Sequence, residues 1–206
     1  MNIHTYPLGQ MQANCYLLEQ DGKALLIDPG DSADFLLEKI AIKHLKLVGM
    51  IATHGHFDHI MAVGEMQLSY PHLPLYIHPK DTFLLERVVE TAKHFLDYEP
   101  ATIPITSTKD LEVGTFRISI FEFHILYTPG HTPGSCALYL KDKHILFSGD
   151  TLFKDGIGRY DFAYSDKEEL KESIETRLIA SLPYDTVVYP GHGPTTTISD
   201  EKDIIF

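Results

Sequence analysis

Short apolar runs bounded by turn residues open the chain and predict a group of β-strands. The pair Asp21-Gly22 separates two of these runs and is typical of a β-hairpin turn. Ser32 is a favourable N-cap for a helix, and Leu36 and Ile40 follow it at helical spacing. The strands predicted for this part of the chain are Ile3–Leu8, Asn14–Glu19, Lys23–Asp28 and Leu47–Ala52.

The remainder of the chain alternates between helical and strand-like patterns. The segment Lys167–Ala180 has the clearest helical period, because its apolar residues recur at every fourth position. Residues 97–109 contain prolines, threonines and serines and are predicted to form a loop. Two more helices are predicted, Ala62–Leu68 and Asp81–His94. The other predicted strands are Leu75–His78, Thr115–Phe123, Cys136–Leu140, His144–Phe147 and Thr186–Tyr189.

Both halves of the chain run from strands through a helix to a strand that leads into a histidine-bearing loop. Two sheets packed together, with helices on the outside, satisfy this order. The predicted fold class is therefore α/β with a four-layer architecture. The length of 206 residues suits a single domain, residues 1–206.

Composition narrows the classes of function. Hydrophobic residues make up 44 % of the chain, and 29 acidic against 17 basic residues give a net charge of −12. This charge argues against a phosphate-binding surface, so we expect no nucleic-acid partner. The N-terminus shows no signal peptide, and no apolar run approaches the roughly 18–20 residues of a membrane-spanning helix. We therefore expect a cytoplasmic protein with no membrane partner, in which Cys15 and Cys136 are buried free thiols.

Three histidines and a carboxylate lie within six residues after the strand Leu47–Ala52: His54, His56, Asp58 and His59. On an extended backbone, residues i and i+2 face the same side, so His54 and His56 are able to converge on one point. A buried loop does not collect such groups without a partner, because their desolvation is costly. A divalent cation is the partner that this pattern favours. A solvated polar loop is the alternative interpretation.

Three further candidate ligands, His131, Asp150 and His192, lie in loops that follow predicted strands. Glycine and proline residues beside them stiffen these turns. Together with the first cluster they provide five imidazoles and two carboxylates, and no thiolate. This set suits Zn, Fe or Mn and argues against a closed structural zinc site. It is large enough for two divalent metal ions.

Two such ions predict a hydrolase. Ions roughly 3.5–4 Å apart share a bridging hydroxide and polarise a substrate carbonyl. Asp150 is the natural bridging carboxylate, and Asp58 and Asp150 are the candidate catalytic residues. We expect zinc first, with iron or manganese as alternatives. Neither a GxSxG nor a GxGxxG motif occurs, so no serine nucleophile or phosphate loop is indicated.

The segment His54–His59 resembles the HxHxDH signature of the metallo-β-lactamase fold superfamily. The chain is similar to this superfamily over nearly its whole length, because other characteristic segments follow in order. They are Asn14–Leu18, Ile27–Gly30, Thr128–Ser135, Ser148–Asp150 and Pro190–Gly193. The resemblance implies an αβ/βα sandwich of two mixed β-sheets with helices outside, and with the metals at one edge.

The same resemblance implies how the ligands divide between two metals. The first metal would be held by His54, His56 and His131. The second would be held by Asp58, His59 and His192, with Asp150 as the bridge. Asp28 is similar to a carboxylate that orients a ligand from behind in this superfamily. A simple turn former before Pro29 is the alternative role for Asp28.

Within the superfamily the chain most resembles glyoxalase II, the hydroxyacylglutathione hydrolases. A bridging Asp150 favours this branch over the β-lactamases. The segment Gly158–Phe162 is similar to the Gly-Arg-x-Asp stretch of shorter bacterial glyoxalase II-like proteins. This similarity implies that Arg159 pairs with a substrate carboxylate and that Asp161 holds Arg159, whereas a plain surface ion pair is the alternative.

The expected substrate is a small-molecule thioester, S-lactoylglutathione or a related acyl thioester. The longer glyoxalase II proteins carry a C-terminal helical domain that contributes to glutathione binding. Only Pro194–Phe206 follow His192, which predicts that this domain is absent and leaves a different thioester open.

Other functions remain as alternatives. A persulfide dioxygenase would hold one iron on His54, His131 and Asp150, and Gly158–Phe162 is compatible with that family too. A non-catalytic metal-binding protein would share the ligands without turnover. A nuclease of the same fold is disfavoured by the net charge of −12. The oligomeric state is not readable from the sequence.

Overall fold

A computed structural model describes residues 1–204 of the chain. Within them, the first six strands form one sheet in chain order. These strands are β1 (Asn2–Leu8), β2 (Ala13–Gln20), β3 (Lys23–Ile27), β4 (Lys46–Ile51), β5 (Leu75–Ile77) and β6 (Thr108–Asp110). Pairing is antiparallel from β1 to β3 and parallel from β3 to β6. The sheet is therefore mixed.

The second sheet comes from the rest of the described chain. The strands there are β7 (Gly114–Ile118), β8 (Phe121–Tyr127), β9 (Cys136–Leu140), β10 (Ile145–Gly149), β11 (Leu152–Phe153), β12 (Gly156–Ile157), β13 (Val187–Pro190) and β14 (Thr196–Thr197). β11 and β12 form a separate small hairpin. The other strands make a sheet in the order β14-β13-β10-β9-β8-β7. Only β10 and β13 pair in parallel, so this sheet is mixed as well.

The helices are short, and all except the last one lie between strands in sequence. They are α1 (Ala33–Ile42), α2 (Phe57–Ile60), α3 (Val63–Ser69), α4 (Thr82–Leu85), α5 (Val88–Leu96), α6 (Lys167–Glu172) and α7 (Ile198–Glu201). A π-helical segment, Ser173–Ile179, continues α6. No helix within residues 1–204 is long and apolar enough to cross a membrane.

Three hydrophobic clusters define the layers. One cluster packs α1, α3 and α5 against the outer face of the first sheet. A second fills the space between the sheets and includes Ile27, Ile51, Phe123, Leu138 and Phe147. The third packs α6 and its π-helical continuation against the outer face of the second sheet. The predicted four-layer αβ/βα sandwich is thus confirmed, and Cys15 and Cys136 are buried free thiols within it, as expected.

Several predicted elements are wrong in their limits. Thr115–Phe123 is not one strand, because the chain turns at Ser119, which has a φ of 57°, between β7 and β8. Asp81–His94 is not one helix either. A 3₁₀ turn ends at Asp81, and the helical path is interrupted at Arg87, where φ is −103° and ψ is 2°. β6 begins inside the predicted loop 97–109, and the β11–β12 hairpin, β14 and α7 were not predicted.

Candidate metal centre

The candidate ligands leave the two sheets at the carboxyl ends of strands. β4 leads into the segment His54–His59, and β8, β10 and β13 lead to His131, Asp150 and His192. β10 is parallel to β13 and two antiparallel steps from β8, so these three strands point the same way. Their carboxyl ends therefore meet at one edge of the second sheet. The structure brings all seven candidate side chains together there.

Three imidazoles form a first cluster, composed of His54, His56 and His131. His56 Nδ1 lies 3.1 Å from His54 Nε2 and 2.9 Å from His131 Nε2. All three side chains are buried. Since three ring nitrogens share one small space, this cluster has the form of a tridentate nitrogen site.

In each of these rings one nitrogen, the inner one, faces the centre of the cluster, and the other, the outer one, faces away from it. The hydrogen-bond partners of the outer nitrogens define the tautomers of the rings. His131 Nδ1 lies 2.7 Å from the carbonyl oxygen of Arg159, which only accepts, so this nitrogen carries the proton. His54 Nδ1 lies 3.1 Å from Thr53 Oγ1. His56 Nε2 lies 2.8 Å from the Tyr164 hydroxyl. With outer nitrogens protonated, the inner nitrogens turn lone pairs toward the centre, as metal ligation requires.

A second cluster contains Asp58, His59 and His192. Asp58 Oδ2 lies 3.3 Å from His192 Nε2 and 3.7 Å from His59 Nε2. Behind it, His59 Nδ1 donates to Asp28 Oδ2 at 3.1 Å. This bond directs His59 Nε2 at the cluster, where the nitrogen would bind a metal in place of a proton. Asp28 is thus placed behind a candidate ligand, and its orienting role stays a prediction.

Asp150 lies between the two clusters. Its Oδ1 is 3.5 Å from His59 Nε2, and its Oδ2 is 3.5 Å from His131 Nε2 and 3.7 Å from His192 Nε2. Oδ1 therefore faces an imidazole of the second cluster, whereas Oδ2 lies near one imidazole of each cluster. This is the arrangement expected of a carboxylate shared by two ions.

Two buried atoms test whether the site fits a metal. Among residues 1–204, His59 Nε2 and Asp150 Oδ1 are buried without a hydrogen-bond partner. An unsatisfied buried polar group costs about 1–3 kcal/mol, and a cation bound by these two atoms would offset it. Three groups have ligand atoms within 4.8 Å of one another: His54/His56/His131, His54/His59/Asp150 and Asp58/His59/His192. The site suits divalent metal ions, although the assignment of each ligand stays a prediction.

The two clusters differ in charge. Burial lowers the pKa of His54 and His56 well below the ordinary imidazole value, and neighbouring imidazoles add to this effect. Burial acts in the same direction on His59, but the surrounding carboxylates, led by Asp150, outweigh it and raise its pKa to about 10. For Asp58, burial favours the neutral acid, yet the adjacent His59 holds the pKa of this carboxyl well below its usual range. His54 and His56 are therefore neutral, whereas Asp58 and His59 carry opposite charges.

A cavity of about 260 Å³ opens onto both clusters. Arg159 lines it, and its guanidinium binds both carboxylate oxygens of Asp161, at 2.9 and 2.8 Å. The guanidinium carbon also lies 4.6 Å from the centre of the Phe162 ring. Both partners of the ion pair are more than half exposed. Asp161 is thus paired with Arg159, and a role of this pair in binding the substrate stays a prediction.

Sequence reasoning missed two residues that support the site. Asp81 is fully buried and accepts hydrogen bonds from Gly55 N at 2.9 Å and Gly134 N at 2.6 Å, which joins two ligand loops. Tyr164 supplies the partner of His56 described above. Asp81 follows Pro79-Lys80 in an ordinary turn sequence and carries no motif. Tyr164 lies two residues beyond the Gly158–Phe162 stretch, whose resemblance signalled only Arg159 and Asp161.

Comparison with known proteins defines the class. The family model of the metallo-beta-lactamase superfamily matches residues 8–192, and this protein belongs to that superfamily. It is 38 % identical to the hydroxyacylglutathione hydrolase GloC of Haemophilus influenzae, covering 98 % of this chain and 95 % of that protein.

Two solved structures are close in fold over nearly the whole chain. TTHA1623 in a di-iron-bound form has a TM-score of 0.88 at 37 % identity, with 97 % of each chain covered. The B3 metallo-beta-lactamase BLEG-1 also has a TM-score of 0.88, at 34 % identity, with 98 % of this chain and 97 % of that chain covered. These similarities confirm the fold and the membership of a metallohydrolase superfamily.

Proposed function

We propose that this protein is a dinuclear metal-dependent hydrolase of acyl thioesters, of the glyoxalase II-like kind. The observation that carries the proposal is the position of Asp150, whose carboxylate lies 3.5 Å from His131 of the first cluster and 3.5 Å from His59 of the second. A carboxylate placed in this way joins two sites into one centre. The 38 % identity with GloC supports the thioester class.

We assign the ligands to two ions in the division that the resemblance implied. His54, His56 and His131 would hold one ion, and Asp58, His59 and His192 the other, with Asp150 shared between them. When bound, divalent ions at this position lower the pKa of a water molecule and polarise a carbonyl. Zinc is the first choice for this donor set, and the di-iron form of TTHA1623 supports iron as the alternative.

The surrounding side chains bind and orient the substrate. The cavity places the aromatic rings of Phe95 and Phe162 beside the ligand imidazoles, and Arg159 at its wall offers a cation to a substrate carboxylate. Hydrolysis adds water across the thioester and yields a carboxylate and a thiol. A thiol with a pKa of about 8.5 leaves readily as the thiolate, so the reaction does not require a proton donor at the leaving sulfur.

Elemental analysis combined with thioester turnover tests the proposal. Protein loaded separately with zinc, iron or manganese is assayed for metal content and for thiol release from S-lactoylglutathione. We expect two ions per chain and turnover with at least one metal. Full occupancy without any thiol release would reject the thioester assignment and leave a metal-binding protein.

The same preparation separates the rival reactions. One iron per chain with oxygen uptake on glutathione persulfide would identify a dioxygenase, and ring opening of a β-lactam without thioester turnover would identify a lactamase. His59→Ala distinguishes one-ion from two-ion chemistry, since it removes a ligand of the second cluster only. We expect loss of one ion and of turnover, whereas the exposed control His72→Ala keeps both.

A further inference from the structure

Tyr164 is held in a fixed position in the wall of the cavity. Its hydroxyl lies 2.8 Å from His56 Nε2. Its ring stacks on Phe162 at 5.9 Å and 22°, and it meets the edge of Phe83 at 5.6 Å and 77°. Contacts with two rings and a hydrogen bond at the tip leave this side chain little freedom. Its hydroxyl is therefore preorganised.

The protonation of His56 determines which way the Tyr164 hydroxyl acts. The inner nitrogen of His56 is Nδ1, which faces His54 Nε2 at 3.1 Å and His131 Nε2 at 2.9 Å. As a ligand, this nitrogen must present a lone pair, so the single proton of the neutral ring resides on Nε2. Nε2 then donates, and the Tyr164 oxygen accepts.

A phenol that accepts from His56 still has its own proton to donate. Within residues 1–204, His56 Nε2 is the one hydrogen-bond partner of the Tyr164 hydroxyl, so no protein acceptor takes this proton. The side chain lines the cavity together with Phe95 and Arg159. The free donor is therefore available to whatever molecule fills that space.

We propose that Tyr164 is a specificity-determining residue, whose hydroxyl donates a hydrogen bond to an oxygen acceptor that the substrate carries beside its scissile carbonyl. The His56 ring separates this hydroxyl from the ligand centre, so the hydroxyl meets an oxygen displaced from the carbonyl that reacts there. A 2-hydroxyl on the acyl group and an amide carbonyl on the thiol part both supply such an acceptor. The inference rests on the proposed thioesterase function.

Tyr164→Phe removes the hydroxyl and keeps the ring, and Tyr160→Phe is the matched control. Tyr160 lies four residues away, is exposed and does not line the cavity. Both variants and the unaltered protein are loaded with the same metal and assayed with S-lactoylglutathione, S-propionylglutathione and S-lactoyl-ethanethiol. The second substrate lacks the acyl hydroxyl, and the third lacks the amides of glutathione.

We expect Tyr164→Phe to lower kcat/KM about 10-fold for S-lactoylglutathione, the loss typical of one hydrogen bond. The kcat/KM for the substrate that lacks the acceptor should not change. If Tyr164→Phe no longer prefers S-lactoylglutathione over S-propionylglutathione, the acceptor is the acyl hydroxyl. If it no longer prefers S-lactoylglutathione over S-lactoyl-ethanethiol, the acceptor is an amide carbonyl. Tyr160→Phe is expected to behave as the unaltered protein with all three.

Metal affinity, measured by competition with a chromophoric chelator, distinguishes this role from simple support of His56. Support alone predicts weaker metal binding and equal losses on all three thioesters. Equal losses, or no loss, would overturn the inference while the thioesterase function stands. If the fully loaded unaltered protein hydrolyses none of the three, the proposed function fails and the inference fails with it.

Discussion

The carboxylate of Asp28 orients ligands in both clusters. It accepts from Thr53 N and Thr53 Oγ1, each at 2.7 Å, and from His59 Nδ1 at 3.1 Å. Because the Thr53 hydroxyl donates to Asp28, its oxygen is free to accept from His54 Nδ1 at 3.1 Å. One buried carboxylate therefore sets the tautomers of His59 directly and of His54 through Thr53.

Asp28→Asn should weaken metal binding more than folding. The amide keeps the size of the side chain but replaces one acceptor oxygen with a donor, so the hydrogen bonds to Thr53 and His59 are not all retained. We expect a loss of metal affinity of about 10–100-fold, the range typical of residues that support a ligand. Chelator competition measures it, with the exposed Asp34→Asn as the control. Unchanged affinity in Asp28→Asn would contradict the orienting role.

Gly191 is required because Asp150 and His59 approach its backbone closely. A β-carbon at this position would lie 2.0 Å from Asp150 Oδ1 and 2.9 Å from His59 Cε1. Gly191→Ala should therefore displace Asp150 and reduce the metal content from two ions to one or none. Gly156→Ala is the matched control, since its β-carbon meets nothing within 4 Å. Elemental analysis showing two ions in Gly191→Ala would refute the predicted position of Asp150.

The ligand loops are connected to each other by the 3₁₀ turn Pro79–Asp81, which precedes α4. The Asp81 side chain accepts from Gly55 N, from Gly134 N and, at 2.7 Å, from Thr132 Oγ1. Gly55 lies between two ligand histidines, while Thr132 and Gly134 follow His131. A side chain from a third element thus fixes the distance between the loops that form the first cluster.

Asp81→Ala should destabilise the protein and loosen the first cluster. Each group that donates to Asp81 would stay buried without an acceptor, which costs about 1–3 kcal/mol. We therefore expect the free energy of unfolding to fall by about 3 kcal/mol. Urea denaturation of the metal-loaded protein measures this change, and Asp142→Ala on the exposed 3₁₀ turn Lys141–Lys143 serves as control. Equal stability of the two variants would show that Asp81 does not join the loops.

Sequence patterns predicted the elements best where apolar periods are long. The helical period over Lys167–Ala180 placed Leu170, Ile174 and Leu178 on one face, and all three are buried, although part of the helix widens into a π-helix. The turn at Ser119 escaped prediction, because it lacks the glycine or asparagine that usually marks a positive φ.

In the candidate site, too, the residues that neighbouring sequence identifies were predicted, and those whose roles depend on distant contacts were not. The ligands were predicted because imidazole and carboxylate in stiff loops form a local signal in the sequence. Asp81 and Tyr164 escaped, because their roles depend on contacts with residues 26 and 108 positions away along the chain. No local pattern encodes such contacts.

At the scale of the whole molecule, two sheets bring four loops to one edge. The pKa values of the histidines there are shifted in opposite directions, which makes the stability of the fold depend on pH. In the metal-free protein the pKa of His54 and His56 is lowered from 6.5, while that of His59 is raised to about 10. Below about pH 6.5 the unfolded chain binds protons on His54 and His56 that the folded protein does not bind, so stability falls as the pH falls.

Above pH 6.5 the dependence of stability on pH has the opposite sign. Between 6.5 and about 10 the folded protein retains the proton on His59 that the unfolded chain releases, so stability falls as the pH rises. Chelator-treated protein should therefore be most stable near neutral pH, with a lower Tm at pH values of about 5 and about 9. A Tm that increases steadily across this range would contradict the charge division between the clusters.

The cytoplasmic location, the single domain over residues 1–206 and the lack of a nucleic-acid partner stay predictions. The superfamily match over residues 8–192 and the cavity of about 260 Å³ agree with a small-molecule substrate. All the functional proposals depend on one property of the whole molecule, namely that the sheet edge holds two ions bridged by one carboxylate.

Anomalous diffraction from crystals of the zinc-loaded protein tests this property most directly. We predict two anomalous peaks roughly 3.5–4 Å apart, the usual separation in two-metal sites. One peak should contact His54, His56 and His131, the other should contact Asp58, His59 and His192, and Asp150 should lie between them. A single peak bound by His54, His131 and Asp150, with the second cluster empty at full zinc saturation, would contradict the account.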